Sequence, residues 1–469
     1  MSTNNLIEEH LHSSAHMAKK HIHPKLMKMM ELGGMASVFE RGEGAYLYDM
    51  KGERYLDFLS GGGVHFVGRN HPKVIQAMQD VLSANYPNLA IINASILGGI
   101  AAEKLKELMD FPDSKVVFAN SGSEATEVAL RFARYVTRRR RYLYLDGAFH
   151  GRTWGAISVN GWAAMKEGME PMLPTCTPLP PNDLGALRRE LARGDVAGII
   201  MEPVQGMTLI PLDPGYMREA ARLCKEHGTL LIADEVQTGF GRCGEWFLSR
   251  SYGIKPDIIT TSKTISGGHM PVSAVVVSEE TYNRVYDKFT SGPFYFSTFA
   301  ENNLAMAATV ATIEALKDID APARAQVISQ RIRDGVMKLA EKHDVIDRVI
   351  GKGLMIGIIF KESEQLALKV QQRVLKVAEP TFFGAAVNVD MYTKQKVIVQ
   401  VPGPGLNAIK ILPPAVTSDA DADYFVQALD NTLTSFYKTG PAMALGQSAV
   451  KDTIKTVKEA LPGIGKKNS

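Results

Sequence analysis

Short apolar runs alternate with amphipathic stretches from about residue 86 onward. Runs of this length suit strands that are buried on both faces, whereas the stretches between them have helical spacing. The helix predicted from Ser123 onward, for example, carries one apolar face, formed by Ala125, Val128, Ala129, Phe132 and Val136. The predicted strands are 115–119, 142–146, 197–201, 229–234, 257–260 and 272–277. This alternation predicts an α/β fold whose mostly parallel central sheet is covered by helices on both sides.

The pattern differs on either side of this region. Residues 5–33 indicate a helical leader, and residues 45–58 alternate around a turn and predict a small hairpin. After about residue 320 a long helix is predicted from Arg324 to Lys342, followed by strand-like segments at 354–360 and 396–401. These later elements are typical of a smaller α+β domain that the N-terminal residues complete.

We therefore expect four parts along the chain. Residues 1–85 form the helical leader and a segment of the small domain, and residues 86–320 form the large domain. Residues 321–440 form the C-terminal small domain, and residues 441–469 form a tail. One amphipathic helix is predicted in that tail, from about Ser448 to Leu461.

Composition narrows the class of partner. The chain has 469 residues, more than one ordinary core, and its 53 basic residues are nearly matched by 50 acidic ones, so its charge does not indicate nucleic acid. We interpret the basic block Arg138–Arg141 as a helix cap or a solvated face. Three widely spaced cysteines argue against disulfides and zinc, and no apolar run is long enough to span a bilayer. A cytoplasmic protein without membrane or nucleic-acid partners is expected.

A histidine-rich leader raises the question of a metal site. His12 and His16 lie one helical turn apart, but the sequence around them matches none of the usual metal-ligand sets. A solvated helix is therefore favoured, and no metal site is expected.

The stretch from Leu230 to Lys263 carries the candidate chemistry. One predicted strand ends in Asp234 and Glu235, and the next leads to Lys263. Ligands of open α/β sheets bind at this end of the strands. A carboxylate and an amine placed there suit pyridoxal phosphate, with Asp234 keeping the ring nitrogen protonated and Lys263 forming the Schiff base. Either residue alone is more often a turn former or a solvated charge, so the pair needs support from a phosphate site and a stacking aromatic residue.

Both supports occur upstream. Ser121 and Glu124 have capping-box spacing, so Gly122 and Ser123 would present free N–H groups at the positive end of a helix dipole. Alone, this turn is more often an ordinary N-cap. Phe149 follows a predicted strand and could cover a planar ring, although such a residue alone is more often core. Glu202 brings a further acid to the same edge, and Thr298 offers a second phosphate contact.

With these pieces in order, the sequence resembles the class III aminotransferases, pyridoxal-phosphate enzymes of fold type I. The similarity runs from about residue 40 to 435 and is nearest to putrescine, ornithine and ω-amine transaminases. The matching strings are NSGSEATEVALRFAR, GAFHGRT, MEPVQG, LLIADEVQTGFGR, PDIITTSKTISGGHMPVSAVV, STFAENNLAMAA and GKGLMIGI. The resemblance implies a large domain with a mostly parallel sheet and a smaller α+β domain.

The resemblance also implies roles for single residues. Lys263 would be the Schiff-base lysine and proton carrier, and Asp234 would pair with the pyridine nitrogen. Thr298 would reach the phosphate bound to the neighbouring subunit, which implies a homodimer (or a dimer of dimers) with composite active sites. The other cofactor-binding residues would be Ser121, Gly122 and Ser123 at the phosphate, Phe149 and Val236 on the two faces of the ring, Gln237 at its phenolic oxygen, and His150 and Glu202 around it.

Two departures from the family pattern bear on the substrate. Lys410 stands where α-amino-acid-using relatives carry an arginine that grips the substrate carboxylate, and Met207 stands where they often carry a glutamate. Because a lysine lacks the bidentate fork of arginine, its grip on a carboxylate is weaker. We therefore expect Lys410 and Met207 to contact an ω-amine, diamine or long-chain amine donor, with pyruvate or 2-oxoglutarate as acceptor. A third departure, Ala300-Glu301-Asn302 in place of G-G-N, alters the expected subunit boundary.

Other functions remain open at this point. The same scaffold supports α-amino-acid or ornithine-type transaminases, aminomutases, decarboxylating transaminases and epimerases. A structural or regulatory protein on an inherited scaffold is disfavoured because both Lys263 and Asp234 are present. A nicotinamide enzyme is disfavoured because no G-x-G-x-x-G opens a βαβ unit.

Overall fold

The structure is a computed structural model that describes residues 3–89, 94–288, 294–378, 381–403 and 405–441. Its strands are β1 (Phe39–Glu43), β2 (Tyr46–Asp49), β3 (Arg54–Asp57), β4 (Ser114–Ala119), β5 (Arg141–Leu145), β6 (Cys176–Leu179), β7 (Val196–Met201), β8 (Leu230–Asp234), β9 (Ile258–Thr261), β10 (Ser273–Ser278), β11 (Ile346–Lys352), β12 (Met355–Phe360), β13 (Val397–Ile398) and β14 (Ala408–Ile411).

The helices fill the intervals between these strands. They are α1 (Thr3–His10), α2 (Ser14–His21), α3 (Pro24–Leu32), α4 (Ser60–Gly63), α5 (Pro72–Ser83), α6 (Gly98–Leu108), α7 (Gly122–Thr137), α8 (Trp154–Ser158), α9 (Leu184–Leu191), α10 (Pro214–Glu226), α11 (Leu248–Ser251), α12 (Glu279–Asn283), α13 (Asn303–Asp318), α14 (Ala321–Lys342), α15 (Leu366–Ala378), α16 (Phe382–Thr393) and α17 (Asp419–Thr439). Short 3-10 turns lie at Leu11–Ser13, Ala163–Met165 and Lys263–Ser266.

A seven-stranded sheet organises the middle of the chain, with the order β4-β10-β9-β8-β7-β5-β6. Strand β10 runs antiparallel to both of its neighbours, and the other strands are parallel to one another. Every residue of β7 and β8 is buried, as their unbroken apolar runs predict. The predicted apolar face of α7 is also buried. The α/β fold with a mostly parallel central sheet and all six predicted strands are confirmed.

Two smaller sheets involve the ends of the chain. Strands β1, β2 and β3 form the expected hairpin region, and β13 joins them by pairing in parallel with β3, Val397 opposite Leu56. Strands β11, β12 and β14 form the other sheet. The strand predicted at 396–401 is only two residues long here, because Gln400 leaves the β3 edge and pairs with Lys410 instead. The four-part division of the chain stays a prediction, and the helix expected at 448–461 lies outside the described residues.

Part of the basic block Arg138–Arg141 is buried, contrary to our expectation. Arg138 ends α7 in a left-handed conformation (φ 58°) and is exposed. Arg141, however, is the first residue of β5, where its guanidinium pairs with Glu190 and, at 2.6 Å, with Asp195. The interpretation as a cap or solvated face is therefore wrong for Arg141, because the strand begins before the block ends.

The leader is helical but interrupted. Helices α1, α2 and α3 are separated by the Leu11–Ser13 turn and by Ile22 and His23, and none of them has a buried residue. None of the helices in the described part of the chain combines the length and the apolar character needed to cross a lipid bilayer. Within the same residues, no three or more His, Cys, Asp or Glu side chains are grouped so that they could hold a metal ion.

Candidate active site

The carboxyl edge of the central sheet brings the predicted acid and amine together. Asp234 ends β8 and lies opposite Thr260 of β9, three residues before Lys263. Strand β7 ends opposite Ala233, so Glu202 follows at the same level. Because neighbouring strands lie about 4.8 Å apart, these side chains converge on one region. Electrostatic coupling of Lys263 to both Asp234 and Glu202 agrees with this placement.

Lys263 begins a single 3-10 turn directly after β9, with a left-handed backbone (φ 48°) that is uncommon for a residue with a side chain. Its amine makes no hydrogen bond or ion pair with any residue that the structure describes. Burial lowers the pKa of Lys263, and the carboxylates of Asp234 and Glu202 offset only part of that shift. A lower pKa increases the fraction of neutral amine, which is the form that attacks a carbonyl.

Asp234 is held by a buried histidine. Its Oδ2 lies 2.6 Å from Nδ1 of His150, and its Oδ1 accepts from the backbone N–H of Val236 at 3.1 Å. The backbone N–H of His150 in turn donates to Oδ1 of Asn160 at 2.7 Å. These contacts fix the orientation of the Asp234 carboxylate at the sheet edge, although the sequence offered no role for Asn160.

Glu202 ties two loops to the sheet edge. Its carboxylate accepts from the backbone N–H of Phe149 at 2.9 Å and from that of Gly206 at 2.7 Å. Burial raises the pKa of Glu202, the negative charge of Asp234 adds to this, and His150 opposes it. Because both carboxylate oxygens accept backbone hydrogen bonds, Glu202 holds the loops of Phe149 and Gly206 in place.

Glu235, the second acid at the end of β8, does not face this region. Its carboxylate is fully buried and accepts from the backbone N–H of Ser249 at 2.6 Å and from the hydroxyl of Thr238. The sequence placed two acids at the strand end, and the structure leaves only Asp234 at the site, because consecutive residues point in opposite directions at the end of a strand.

The N-terminus of α7 provides an anion cradle. Ser121 caps the helix by accepting from the N–H of Glu124 at 3.2 Å, and the N–H groups of Gly122 and Ser123 donate to no described residue. A Cβ added to Gly122 would lie 3.2 Å from the Val236 side chain, so Val236 adjoins the cradle. Two free N–H groups at the positive end of a 16-residue helix are suited to a phosphate.

Phe149 is half-buried at the mouth of the site. The guanidinium of Arg152 lies 5.8 Å from the centroid of the Phe149 ring. The backbone N–H of Phe149 donates to Glu202. The backbone N–H of Arg152 also donates to Oγ of Ser123 at 3.0 Å, which links the Phe149 loop to the anion cradle. The ring therefore lies close to the cradle and keeps part of its surface free.

The buried Lys410 pairs with the half-buried Gln237. The amine of Lys410 donates to the carbonyl oxygen of Gly206 and, at 3.0 Å, to Oε1 of Gln237. Nε2 of Gln237 donates to the carbonyl oxygen of Gly62 at 3.1 Å. Burial, with a smaller contribution from the positive charge of Lys263, lowers the pKa of Lys410 to about 7. The amine of Lys410 is thus engaged inside the protein, where the sequence led us to expect a substrate contact.

Met207 and Thr298 lie further out. The Met207 side chain lines a largely apolar cavity of about 490 Å³ together with Trp162, Ile350 and Leu406. Thr298 is exposed, and its hydroxyl has no partner among the described residues. The expected contact of Thr298 with the phosphate bound to a neighbouring subunit stays a prediction.

Comparison with known proteins identifies the family. The family model described as Aminotransferase class-III matches residues 29–433, which is most of the chain. The chain belongs to the class III aminotransferases. Pyridoxal phosphate is the cofactor of this family, and the fold is that of fold type I enzymes, as the resemblance implied.

This class III aminotransferase is similar to a named relative and to several solved structures. It is 31% identical over 344 residues to Aminotransferase PigE of Serratia sp. (strain ATCC 39006), a match that covers 73% of this chain but only 40% of PigE. An amine transaminase from an uncultivated Pseudomonas species, solved in its PLP-bound form, is 26% identical with a TM-score of 0.76, covering 85% of this chain and 95% of the other. The ornithine aminotransferase of Toxoplasma gondii is 25% identical with a TM-score of 0.75, covering 86% and 90%.

The residues of this class III aminotransferase fit pyridoxal phosphate. The free N–H groups of Gly122 and Ser123 suit its phosphate, and the carboxylate of Asp234 suits its ring nitrogen. The amine of Lys263 is available for covalent attachment because no described residue engages it. A Cβ at Gly122 would also approach Ser262, at 3.7 Å, so the cradle and the residue before Lys263 are neighbours.

The burial of Lys410 leads to a testable prediction about the free energy of unfolding. We expect the variant Lys410→Met to unfold at lower urea than the wild type at pH 9, because Gly206 and Gln237 lose their donor, at a cost of about 1–3 kcal/mol. The folded-state pKa of Lys410, about 7, lies below the value in the unfolded chain, so between pH 7 and about 10 the unfolded state binds the extra proton. Wild-type stability therefore rises with pH there, by at most about 1.4 kcal/mol per pH unit.

The measurement is the urea midpoint of both proteins from pH 6 to pH 10. The difference should be largest at high pH and shrink toward pH 6, where folding of the wild type must bury a charged amine. Lys396→Met is the matched control, since Lys396 bonds the Tyr55 hydroxyl at 3.3 Å and lies 31% exposed at its side chain. A pH-independent difference for Lys410→Met would contradict the prediction.

Proposed function

We propose that this chain is a pyridoxal-phosphate-dependent aminotransferase that takes the amino group of an ω-amine, a diamine or a long-chain amine. An oxo acid, pyruvate or 2-oxoglutarate, accepts the group in the second half of a ping-pong cycle. The observation that carries the donor class is the Lys410 amine, which is 4% exposed and bound to Gly206 and Gln237. An amine so engaged does not reach a substrate carboxylate, so the site favours donors without one.

Each site residue has a proposed task. Lys263 binds the cofactor and, once released by the substrate amine, moves a proton from the substrate Cα. Asp234 keeps the ring nitrogen protonated, and His150 orients Asp234. The remaining contacts are Ser121, Gly122 and Ser123 at the phosphate, Phe149 and Val236 at the ring faces, Gln237 at the phenolic oxygen and Glu202 as the support of the Phe149 loop. When bound, the cofactor supplies an electron sink that acidifies the substrate Cα–H.

The assembly proposed is a homodimer, or a dimer of dimers, with composite sites. Thr298 supports this because its exposed hydroxyl has no partner among the described residues and would be free to reach the phosphate bound by the partner. The class of partner is otherwise limited to small amines and oxo acids, and we propose a cytoplasmic location.

A panel of amine donors tests the proposed substrate class. We expect alkyl amines and diamines to be better donors than amines that carry a carboxylate, such as acetylornithine, by about 10- to 100-fold in kcat/KM, since a missing charge-assisted hydrogen bond is worth about 1.5–3 kcal/mol. The measurement is the change in the visible absorption of the cofactor-loaded protein in the first half-reaction, followed by release of oxo product. The variant Lys263→Ala, assayed with the same panel, gives the background.

The alternative is an α-amino-acid transaminase of the ornithine type. Its support is the likeness to the Toxoplasma gondii enzyme and to the acetylornithine aminotransferase of Elizabethkingia anophelis, which is 27% identical with a TM-score of 0.67 over 88% of this chain. A clear preference for α-amino acids in the donor panel would favour it and overturn the amine-donor proposal. Aminomutase or decarboxylating chemistry would instead show turnover without an accumulating oxo product.

A further inference from the structure

The side-chain amide of Gln237 is clamped between two groups of opposite hydrogen-bonding character. Its Oε1 accepts from the amine of Lys410 at 3.0 Å, and its Nε2 donates to the carbonyl oxygen of Gly62 at 3.1 Å. A protonated lysine amine only donates, and a carbonyl oxygen only accepts. The two partners therefore determine which end of the amide is oxygen and which is nitrogen, and the reverse orientation would lose both bonds.

The clamp joins three distant parts of the chain. Lys410 comes from β14, Gln237 follows β8, and Gly62 belongs to α4. The second acceptor of Lys410 is Gly206, whose own N–H donates to Glu202 at 2.7 Å. Since Glu202 also binds the Phe149 backbone, the Gln237 orientation and the Phe149 loop depend on one connected set of hydrogen bonds.

One donor of Gln237 remains after the clamp is satisfied. The Nε2 group carries two N–H bonds, Gly62 uses one, and the oxygen is occupied by Lys410. Gln237 can consequently offer an N–H donor to the site, on the side of the amide that the clamp fixes. A glutamine without this clamp could rotate and present either end.

We propose that Lys410 is a positioning residue, which locks the Gln237 amide so that its remaining N–H points to the phenolic oxygen of the cofactor. This inference rests on the proposed function, in which Gln237 contacts that oxygen. It assigns to Lys410 a task different from gripping a substrate carboxylate. The charged groups that act on Lys410 are Lys263, Glu202 and Arg242, so a through-space effect of its own charge is the competing explanation.

The test is a double-mutant cycle on cofactor-loaded protein, with Lys410→Met, Gln237→Leu and the double variant. The readout is the pH at which the visible absorption band of the bound cofactor titrates. An N–H donated to the phenolic oxygen stabilises the deprotonated form of the cofactor, so its loss should raise that pH, by about one unit for Gln237→Leu and by about half a unit to one unit for Lys410→Met. In the Gln237→Leu background, Lys410→Met should cause no further shift.

The cycle separates the two explanations because a through-space charge does not need Gln237. An equal shift for Lys410→Met in both backgrounds, or no shift in the wild-type background, would overturn the inference. Lys396→Met is the control and should titrate like the wild type. If Lys410→Met does not fold, Lys410→Gln serves in its place, with a smaller shift expected and the same requirement that it vanish without Gln237.

Failure of the underlying function would be recognised separately. If the wild type binds no pyridoxal phosphate, or shows no absorption band that depends on Lys263, the proposed function is wrong before the cycle begins. If the band is present and titrates but the Lys410 shift does not depend on Gln237, only the positioning role is wrong.

Discussion

Replacing Lys263 by alanine is expected to reduce the turnover of the best amine donor by about 10³- to 10⁴-fold or more. Proton transfer by a positioned side chain contributes about 10²- to 10⁴-fold, and the variant also loses the covalent attachment of the cofactor. The amine of Lys263 is suited to both tasks because burial lowers its pKa and no described residue engages it. The measurements are kcat with saturating donor and the retention of cofactor after borohydride reduction and denaturation.

Chemical rescue distinguishes a lost proton carrier from a damaged site. Small primary amines added to Lys263→Ala should restore part of the activity, and more so the more basic the amine, because they supply the missing proton acceptor. Lys396→Ala is the control, since it removes a lysine from the β1–β3 region and should keep wild-type turnover. Wild-type activity in Lys263→Ala would contradict the assignment of this residue.

The second large effect is expected for Asp234→Asn, which should lower kcat by about 10²- to 10³-fold while changing the KM for the donor little. Asparagine keeps the shape of the side chain but cannot carry the negative charge that keeps a ring nitrogen protonated, and a protonated ring is what acidifies the substrate Cα–H. Loss of an interaction that matters only in the transition state lowers kcat and kcat/KM equally. Steady-state kinetics with one amine donor measure both constants.

Asp257→Asn provides the matched control. Asp257 is also a largely buried carboxylate next to the central sheet, where it accepts from the N–H of Leu231 at 2.7 Å, but it lies at the opposite end of β9 from Lys263. Burial raises its pKa to about 6. The control should lose stability and keep kcat. Near-normal turnover in Asp234→Asn would refute the ring-nitrogen role.

The fold and the pairing of Asp234 with Lys263 could be predicted from the sequence, because both depend on the local pattern of apolar and polar residues. Unbroken apolar runs such as those of β7 and β8 specify strands buried on both faces, and parallel strands place the residues after them at one edge. The same logic brought Asp234 and Lys263 together. What spacing and composition did not report is the surroundings of Glu235, whose carboxylate is buried against Ser249 and Thr238.

The hydrogen-bond partners of long polar side chains also could not be predicted from the sequence. Lys410 was expected at the substrate, yet it reaches across from β14 to Gly206 and Gln237. Such a contact depends on how two sheets pack, and neither spacing nor composition reports it. Asn160 was missed for the same reason, because its bond to the His150 backbone comes from a loop with no motif of its own. The burial of Arg141 was not predicted, because this residue ends the basic block Arg138–Arg141 and is also the first residue of β5.

The parallel pairing of β13 with β3 has a consequence for the order in which the chain folds during synthesis. Leu56 leaves the ribosome long before its neighbour Val397, so the edge of β3 stays unpaired during this time. The central sheet consists entirely of residues in between and is free to form first. Closing so long a loop is slow, and an exposed strand edge invites pairing with other chains. The β3 edge of the nascent protein therefore stays without its β13 partner until late in translation, and an exposed edge favours aggregation during that time.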